Sequence, residues 1–247
     1  MENEQIERNE RDERKGNGIF LGIVAVATLI VAIIGASFAY FSAQAASANN
    51  AVDITGYEFN ASLVMEDVFV PNKAFIPFNP DTVIPNSDEP NTTNILYALN
   101  VYENKCEDKD HGLAVCALYK VTVTNGSSAP LTLNGSIVTT ANNASERGGT
   151  AEPFSNLQFR DVTKEGSRYV AGTTAVDLGD NAGDSAQIYQ GITVPANSSV
   201  EKYVLIYLNE IDDDQSVEMG ASYQGQIVFA ASGNNTNRLT GTFTIGS

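Results

Sequence analysis

Hydrophobic positions along the chain follow two different rules. Ile19 to Ser37 is a run of 19 residues without a charge or a side-chain amide. From residue 49 onward the apolar positions instead come in short stretches, several of them alternating with polar residues. Alternation at period two over short runs predicts half-buried strands. Such stretches are "NNAVDITGYEFNASLV" (Asn49–Val64), "ALYKVTVTN" and "LTLNGSIVTTAN" on either side of an Asn-Gly-Ser-Ser-Ala-Pro turn, "LQFRDV", "QIYQGITV", "VEKYVLIYLNE", "SYQGQIVFAAS" and "LTGTFTIGS". In the second of these, Tyr119, Val121 and Val123 form the apolar face. Asn125-Gly126 and Asn134-Gly135 read as turn dipeptides. One segment breaks the strand pattern: Ile95, Leu96, Leu99 and Tyr102 share a helical face behind the capping residues Thr92, Thr93 and Asn94, which predicts a short helix over 94–104. The stretch before it, 71–93, holds Pro71, Pro77, Pro80, Pro85 and Pro90 and reads as a wandering loop. The fold class expected is mainly β, an extracellular antiparallel β-sandwich or jelly-roll-like domain, preceded by one N-terminal transmembrane or signal helix.

The apolar run divides the chain of 247 residues into a polar cytosolic tail (1–17), a transmembrane or signal helix (18–41), a small-residue linker (42–48) and a sandwich domain (49–247). Nineteen helical residues at 1.5 Å each roughly cross a bilayer core. Arg14 and Lys15 precede the run and Tyr40 and Phe41 follow it, which orients the body outward. Small residues crowd its end. Ser37-Phe38-Ala39 and Ala43-Gln44-Ala45 both satisfy the small-x-small requirement of signal peptidase, so Ala39 and Ala45 are the expected cleavage positions. The segment from Ile19 to Ser37 is therefore both a good span and a good cleavable signal, and in either case the body crosses the membrane. The tail mixes signs, with i,i+4 pairs such as Glu4–Arg8 and Glu7–Arg11.

Charge narrows the partners. The formal net charge is −16, and the tail accounts for little of it. A surface this acidic repels nucleic acid and anionic headgroups, so no nucleic-acid partner is expected. The two cysteines, Cys106 and Cys116, flank a polar loop, "CEDKDHGLAVC". Outside the cell a disulfide is the natural reading; two unpaired thiols, or a metal site poor in soft ligands, are the alternatives.

Several pieces then occur in one order: a hydrophobic signal ending in "SFAYFSA", a strand "VDITGYEFNASL" soon after it, a strand-turn-strand "LYKVTVTNGSSAPLTLNGSI", and the late pair "VEKYVLIYLNE" and "SYQGQIVFAAS". This layout resembles the TasA/camelysin group of Gram-positive surface proteins, whose signals are processed by a SipW-type signal peptidase. The resemblance implies a jelly-roll-like domain and, for the best-known members, extracellular fibres of the biofilm matrix, with self-association. The chain departs from the group in its charged tail, its longer apolar span, its cysteine pair and its proline-rich stretch. Camelysin-type members have been described as metalloproteases, and this chain has no His-Glu-x-x-His.

No catalytic constellation is visible. His111, the one histidine, sits in a polar loop beside Asp108 and Asp110 with no nucleophile to serve. There is no nucleophile elbow, phosphate loop or dinucleotide fingerprint. A non-enzymatic protein without a cofactor is expected. Two acidic loops carry the oxygen ligands that calcium prefers: "DLGDNAGDS", with Asp177, Asp180 and Asp184, and "NEIDDD", with Asp212 and Asp214. Neither has the EF-hand spacing, and solvated acidic turns are the alternative. Seven Asn-x-Ser/Thr triplets, Asn91, Asn125 and Asn197 among them, read as turn chemistry. The function expected is a structural or matrix-fibre-type subunit assembling by strand addition. The alternative is a membrane-tethered sandwich that binds a cell-wall, protein or calcium ligand.

Overall fold

Strand-forming residues dominate from residue 52 onward, and they are organised as two stacked antiparallel sheets. The computed structural model describes residues 52–56, 59–71, 75–85, 92–101, 105–108, 111–145, 151–232 and 234–246. The expected tail, apolar helix, linker and cleavage positions Ala39 and Ala45 lie outside the described residues. Among the described residues no helix is long and apolar enough to cross a membrane.

The elements are β1 (Val52–Gly56), β2 (Phe59–Phe69), α1 (Asn94–Asn100), β3 (Cys116–Asn125), β4 (Leu131–Asn143), β5 (Leu157–Glu165), β6 (Arg168–Asp177), β7 (Ser185–Val194), β8 (Ser198–Leu208), a 3₁₀ turn (Gln215–Glu218), β9 (Ser222–Ala231) and β10 (Asn234–Ile245). One sheet has the order β1-β2-β3-β8-β5-β6 and the other β10-β9-β4-β7. Every strand pair is antiparallel.

Alternation explains the layer between the sheets. Leu63 and Met65 of β2, Tyr119, Val121 and Val123 of β3, Val204 and Ile206 of β8, and Ile227, Phe229 and Phe243 of the second sheet meet there in one core. Within the second sheet, glycines make room for the rings of neighbouring strands. A Cβ on Gly225 would lie 2.3 Å from the Phe243 ring, and one on Gly135 would lie 2.9 Å from Phe229. The stacked pair Tyr189 and Phe229, with centroids 6.0 Å apart, uses that space.

A second core lies on the opposite face of the six-stranded sheet. Ile95, Ala98 and Leu99 of α1 pack with Phe78, Leu118, Val162, Tyr203, Leu205 and Tyr207. The excursion between β2 and β3 therefore forms a third, partial layer. This is why Tyr203–Leu208 of β8 is buried at every position: one face looks into the sandwich and the other lies under the excursion.

Four sequence expectations change. The single strand expected over Asn49–Val64 is a hairpin, because Gly56 pairs with Phe59 across a two-residue link. The helix expected over 94–104 runs over Asn94–Asn100 with Val101 as its C-cap, residues 102–104 lying outside the described residues; Thr93 is its N-cap, in an extended conformation but making no side-chain cap bond. Asn134-Gly135 is not a turn; it lies inside β4, where the register against β7 shifts, and Gly135 makes room for rings. Finally, β6 was not foreseen. It is an edge strand whose pattern is mostly exposed or half-buried, so it lacks the apolar alternation that marks a strand.

Candidate binding groove

The third layer is bonded both within itself and to the sheet, and these bonds shape a groove. Backbone bonds run from Ile76 N–H to the Ala114 carbonyl at 3.0 Å, from Phe78 N–H to the Leu208 carbonyl at 3.0 Å, and from Cys106 N–H to the Ala98 carbonyl at 2.7 Å. Cys106 and Cys116 form a disulfide with a Cα–Cα separation of 4.8 Å, and both residues are fully buried. Cys106 has a φ of +71°, a left-handed conformation unusual for a side-chain-bearing residue. The loop between the cysteines is closed by Asp108, which accepts from the backbone N–H of His111 at 2.9 Å and of Leu113 at 2.5 Å.

An ion pair completes the attachment. The guanidinium of Arg160, on β5, donates from two nitrogens to both carboxylate oxygens of Asp81, each at 2.7 Å. Its Nε donates to the Tyr207 hydroxyl at 3.0 Å, which donates to Gln158 Oε1 at 2.6 Å, and Gln158 Nε2 donates to Asp177 at 2.7 Å. The Arg160 side chain is 6% exposed and that of Asp81 is 63% exposed. The bonds from Arg160 hold the Asp81 carboxyl below the usual carboxylate range, against the opposing effect of burial.

Between the proline-rich segment, α1 and the cysteine loop is a groove of about 590 Å³, lined by Pro77, Val83, Tyr97, Glu107, His111 and Glu210 among others. Its walls mix aliphatic and acidic groups. Val83 is 53% exposed. His111 brings its Nδ1 to 3.0 Å from Asp108 Oδ2 and is itself largely in solvent. Elsewhere on the six-stranded sheet, where the excursion does not reach, Lys120 lies between Glu66 at 2.7 Å and Glu201 at 3.3 Å. These neighbours, Glu66 first, raise the Lys120 pKa.

The five calcium candidates fall into two separate groups, one at the end of β6 and in the β6–β7 connection, the other beyond β8. Asp177 ends β6 and accepts from Gln158. Asp180 and Asp184 occupy the β6–β7 connection, where Asp184 accepts from the Asn181 backbone N–H at 2.9 Å. Asp212 and Asp214 are exposed beyond β8, and Asp214 caps the 3₁₀ turn by accepting from Ser216 N–H at 2.9 Å. Among the described residues no group of three or more His, Cys, Asp or Glu side chains is placed to hold a metal ion. Sequence reasoning missed two polar groups. One is the Arg160–Asp81 pair, whose partners are far apart in sequence. The other is Glu218, whose buried position only the fold reveals.

No family model and no curated protein matches the chain. Among solved structures it is similar to a FixG-related protein from Vibrio parahaemolyticus, at 7% identity over 76% of this chain and 95% of that one, with a TM-score of 0.33. It is also similar to Spo0M, a sporulation control protein from Bacillus subtilis, at 7% identity over 75% of this chain and 48% of that one, TM-score 0.30. A third is the collagen-binding domain of a Staphylococcus aureus adhesin, at 10% identity over 54% of this chain and 89% of that one, TM-score 0.24. Likenesses this distant carry no argument about function.

Proposed function

We propose that the chain is a non-enzymatic, exported surface subunit that assembles by strand addition. The observation that supports this reading is the position of β1. It is a five-residue strand at the edge of the six-stranded sheet, joined to β2 by a two-residue link, and it follows directly on the small-residue linker. Cutting at Ala39 or Ala45 by a signal peptidase would free the end that leads into it. Straightening the link would let β1 leave its own β2 and pair with the β2 of a second copy. A head-to-tail exchange of that kind propagates as a fibre. The strand order adds support for the resemblance to the TasA/camelysin group: β3-β8-β5-β6 facing β9-β4-β7 follows a jelly roll, with β10 beside β9 where a jelly roll has its first strand. Deletion of residues 47–56 is expected to abolish polymers in sedimentation of the exported protein; unchanged polymers overturn the reading.

One observation favours a second reading, a sandwich tethered by residues 18–41 that binds a ligand. The groove beside the cysteine loop is built from three separately fastened segments and offers aliphatic and acidic groups side by side, a composition suited to a ligand with both apolar and cationic parts. The N-terminal sequence of protein from membrane and medium separates the two readings. A start between Tyr40 and Ser47 supports the released subunit; an intact Met1 in the membrane supports the tether.

A further inference from the structure

At one end of the sandwich a buried carboxylate oxygen is left unpaired by the described residues, and an acidic connection is tied close to it. Glu218 is 4% exposed. Its Oε1 accepts from the Ser155 backbone N–H at 3.3 Å and from the Ser155 hydroxyl. Its Oε2 is buried and has no hydrogen-bond partner among the described residues. A buried carboxylate oxygen left without a partner is costly, and one in a native fold calls for an explanation.

The surroundings narrow the explanation. Asn142 Nδ2 donates to the carbonyls of Phe154 at 2.6 Å and Asp180 at 3.0 Å, and its Oδ1 accepts from Phe154 N–H at 3.1 Å. One amide thus ties the segment holding Ser155 to the β6–β7 connection. Thr139 donates to the Gly179 carbonyl at 2.7 Å and shares a hydrogen bond with the Tyr223 hydroxyl at 2.9 Å. Asp184 folds tightly over the same connection, where a Cβ on Gly179 would lie 2.1 Å from its own Cβ. The charged groups described here, Asp177, Asp180, Asp184 and Glu218, are all carboxylates. Partial burial of the otherwise exposed Asp180 raises its pKa, and the carboxylates of Asp184, Glu218 and Asp177, in that order, raise it further. A water molecule would satisfy Oε2 but would leave this repulsion in place.

We propose that this end of the sandwich binds a hard divalent cation of the calcium type, held by Glu218 Oε2 and the Asp180 carboxylate. Main-chain carbonyls and water complete its shell, and Asp184 and Asp177 add negative charge around it. Calcium accepts six to eight oxygen ligands in flexible geometry, so two carboxylates with carbonyls and water suffice. A set made only of oxygen disfavours zinc and copper.

Terbium and calcium test this on the intact chain. The protein has no tryptophan, so tyrosine is the antenna for terbium, and Tyr223 is tied through Thr139 to the Gly179 carbonyl. Terbium emission under tyrosine excitation is expected, displaced by calcium, with a calcium-dependent rise in melting temperature. Both signals should vanish in Glu218→Gln. In Asp180→Asn, calcium affinity should fall roughly tenfold, because affinity follows the number of charged ligands. Asp180 is exposed, so this variant decides the matter if Glu218→Gln fails to fold. No emission from the wild type, or emission undiminished in the variants, overturns the proposal; the second result would move the cation to another acidic loop.

Discussion

Gly225 and Asp81 show how single residues set the terms of this fold. Gly225 allows the Phe243 ring to lie across β9, and the contact a Cβ would make is far inside van der Waals distance. Gly225→Ala should cost about 1–3 kcal/mol in urea denaturation, the usual penalty for overpacking a tight core. Asp81 works through charge. Its lowered pKa means that the stability it contributes is complete above the ordinary carboxylate range and is lost as pH falls through its folded-state value. Asp81→Asn should therefore destabilise the protein at neutral pH, while the acid branches of wild type and variant converge. The loss should be about 1–2 kcal/mol, below the roughly 3–5 kcal/mol of a fully buried pair, because the Asp81 side chain is largely in water. Little of this was legible in the chain. Gly135 and Gly225 look like ordinary strand or turn glycines until the rings above them are known, and nothing in "NPDTV" marks Asp81 as the partner of Arg160.

Elements were easier to read than residues wherever one face of a strand meets the core. The sequence "LYKVTVTN" alternates, and β3 buries Tyr119, Val121 and Val123 as the alternation predicts. The run "YVLIYL" does not alternate. That departure was itself a signal, since a strand buried on both faces needs apolar residues on both; the covering layer is α1 and the excursion around it. β6 escaped notice because an edge strand with one open side has little to bury. The cysteine loop belongs to this scale as well. The disulfide closes a loop of ten residues' separation and holds the excursion against the first residue of β3. Under non-reducing conditions Cys106→Ser should lower stability by about 2–5 kcal/mol. Thermal denaturation checks this, and an unchanged midpoint would mean that the backbone bonds alone fasten the layer.

At the scale of the whole molecule, the two-sheet architecture was foreseeable and its threading was not. Short strands punctuated by turn residues led directly to a sandwich. Which strand neighbours which depends on contacts between positions far apart in sequence, and local patterns do not encode them. The consequence shows in the Asn125–Pro130 turn, which reads like a hairpin. Asn125 anchors it by donating to the carbonyls of Ala129, Val194 and Pro195, and it carries the chain from one sheet to the other.

The place of β8 has a further consequence, concerning time rather than shape. β8 lies between β3 and β5, yet it is made after both, with its last residue at Leu208. A chain emerging from the ribosome N-terminus first therefore holds β1-β2-β3 and β5-β6 as two incomplete ribbons until some two hundred residues are out. Neither ribbon has the central strand that buries it on both faces, and long-range pairings of this kind form slowly. Closure of the six-stranded sheet thus waits until β8 has been made. The last strand of this sheet to be made is its middle one, and its late arrival acts as a built-in delay.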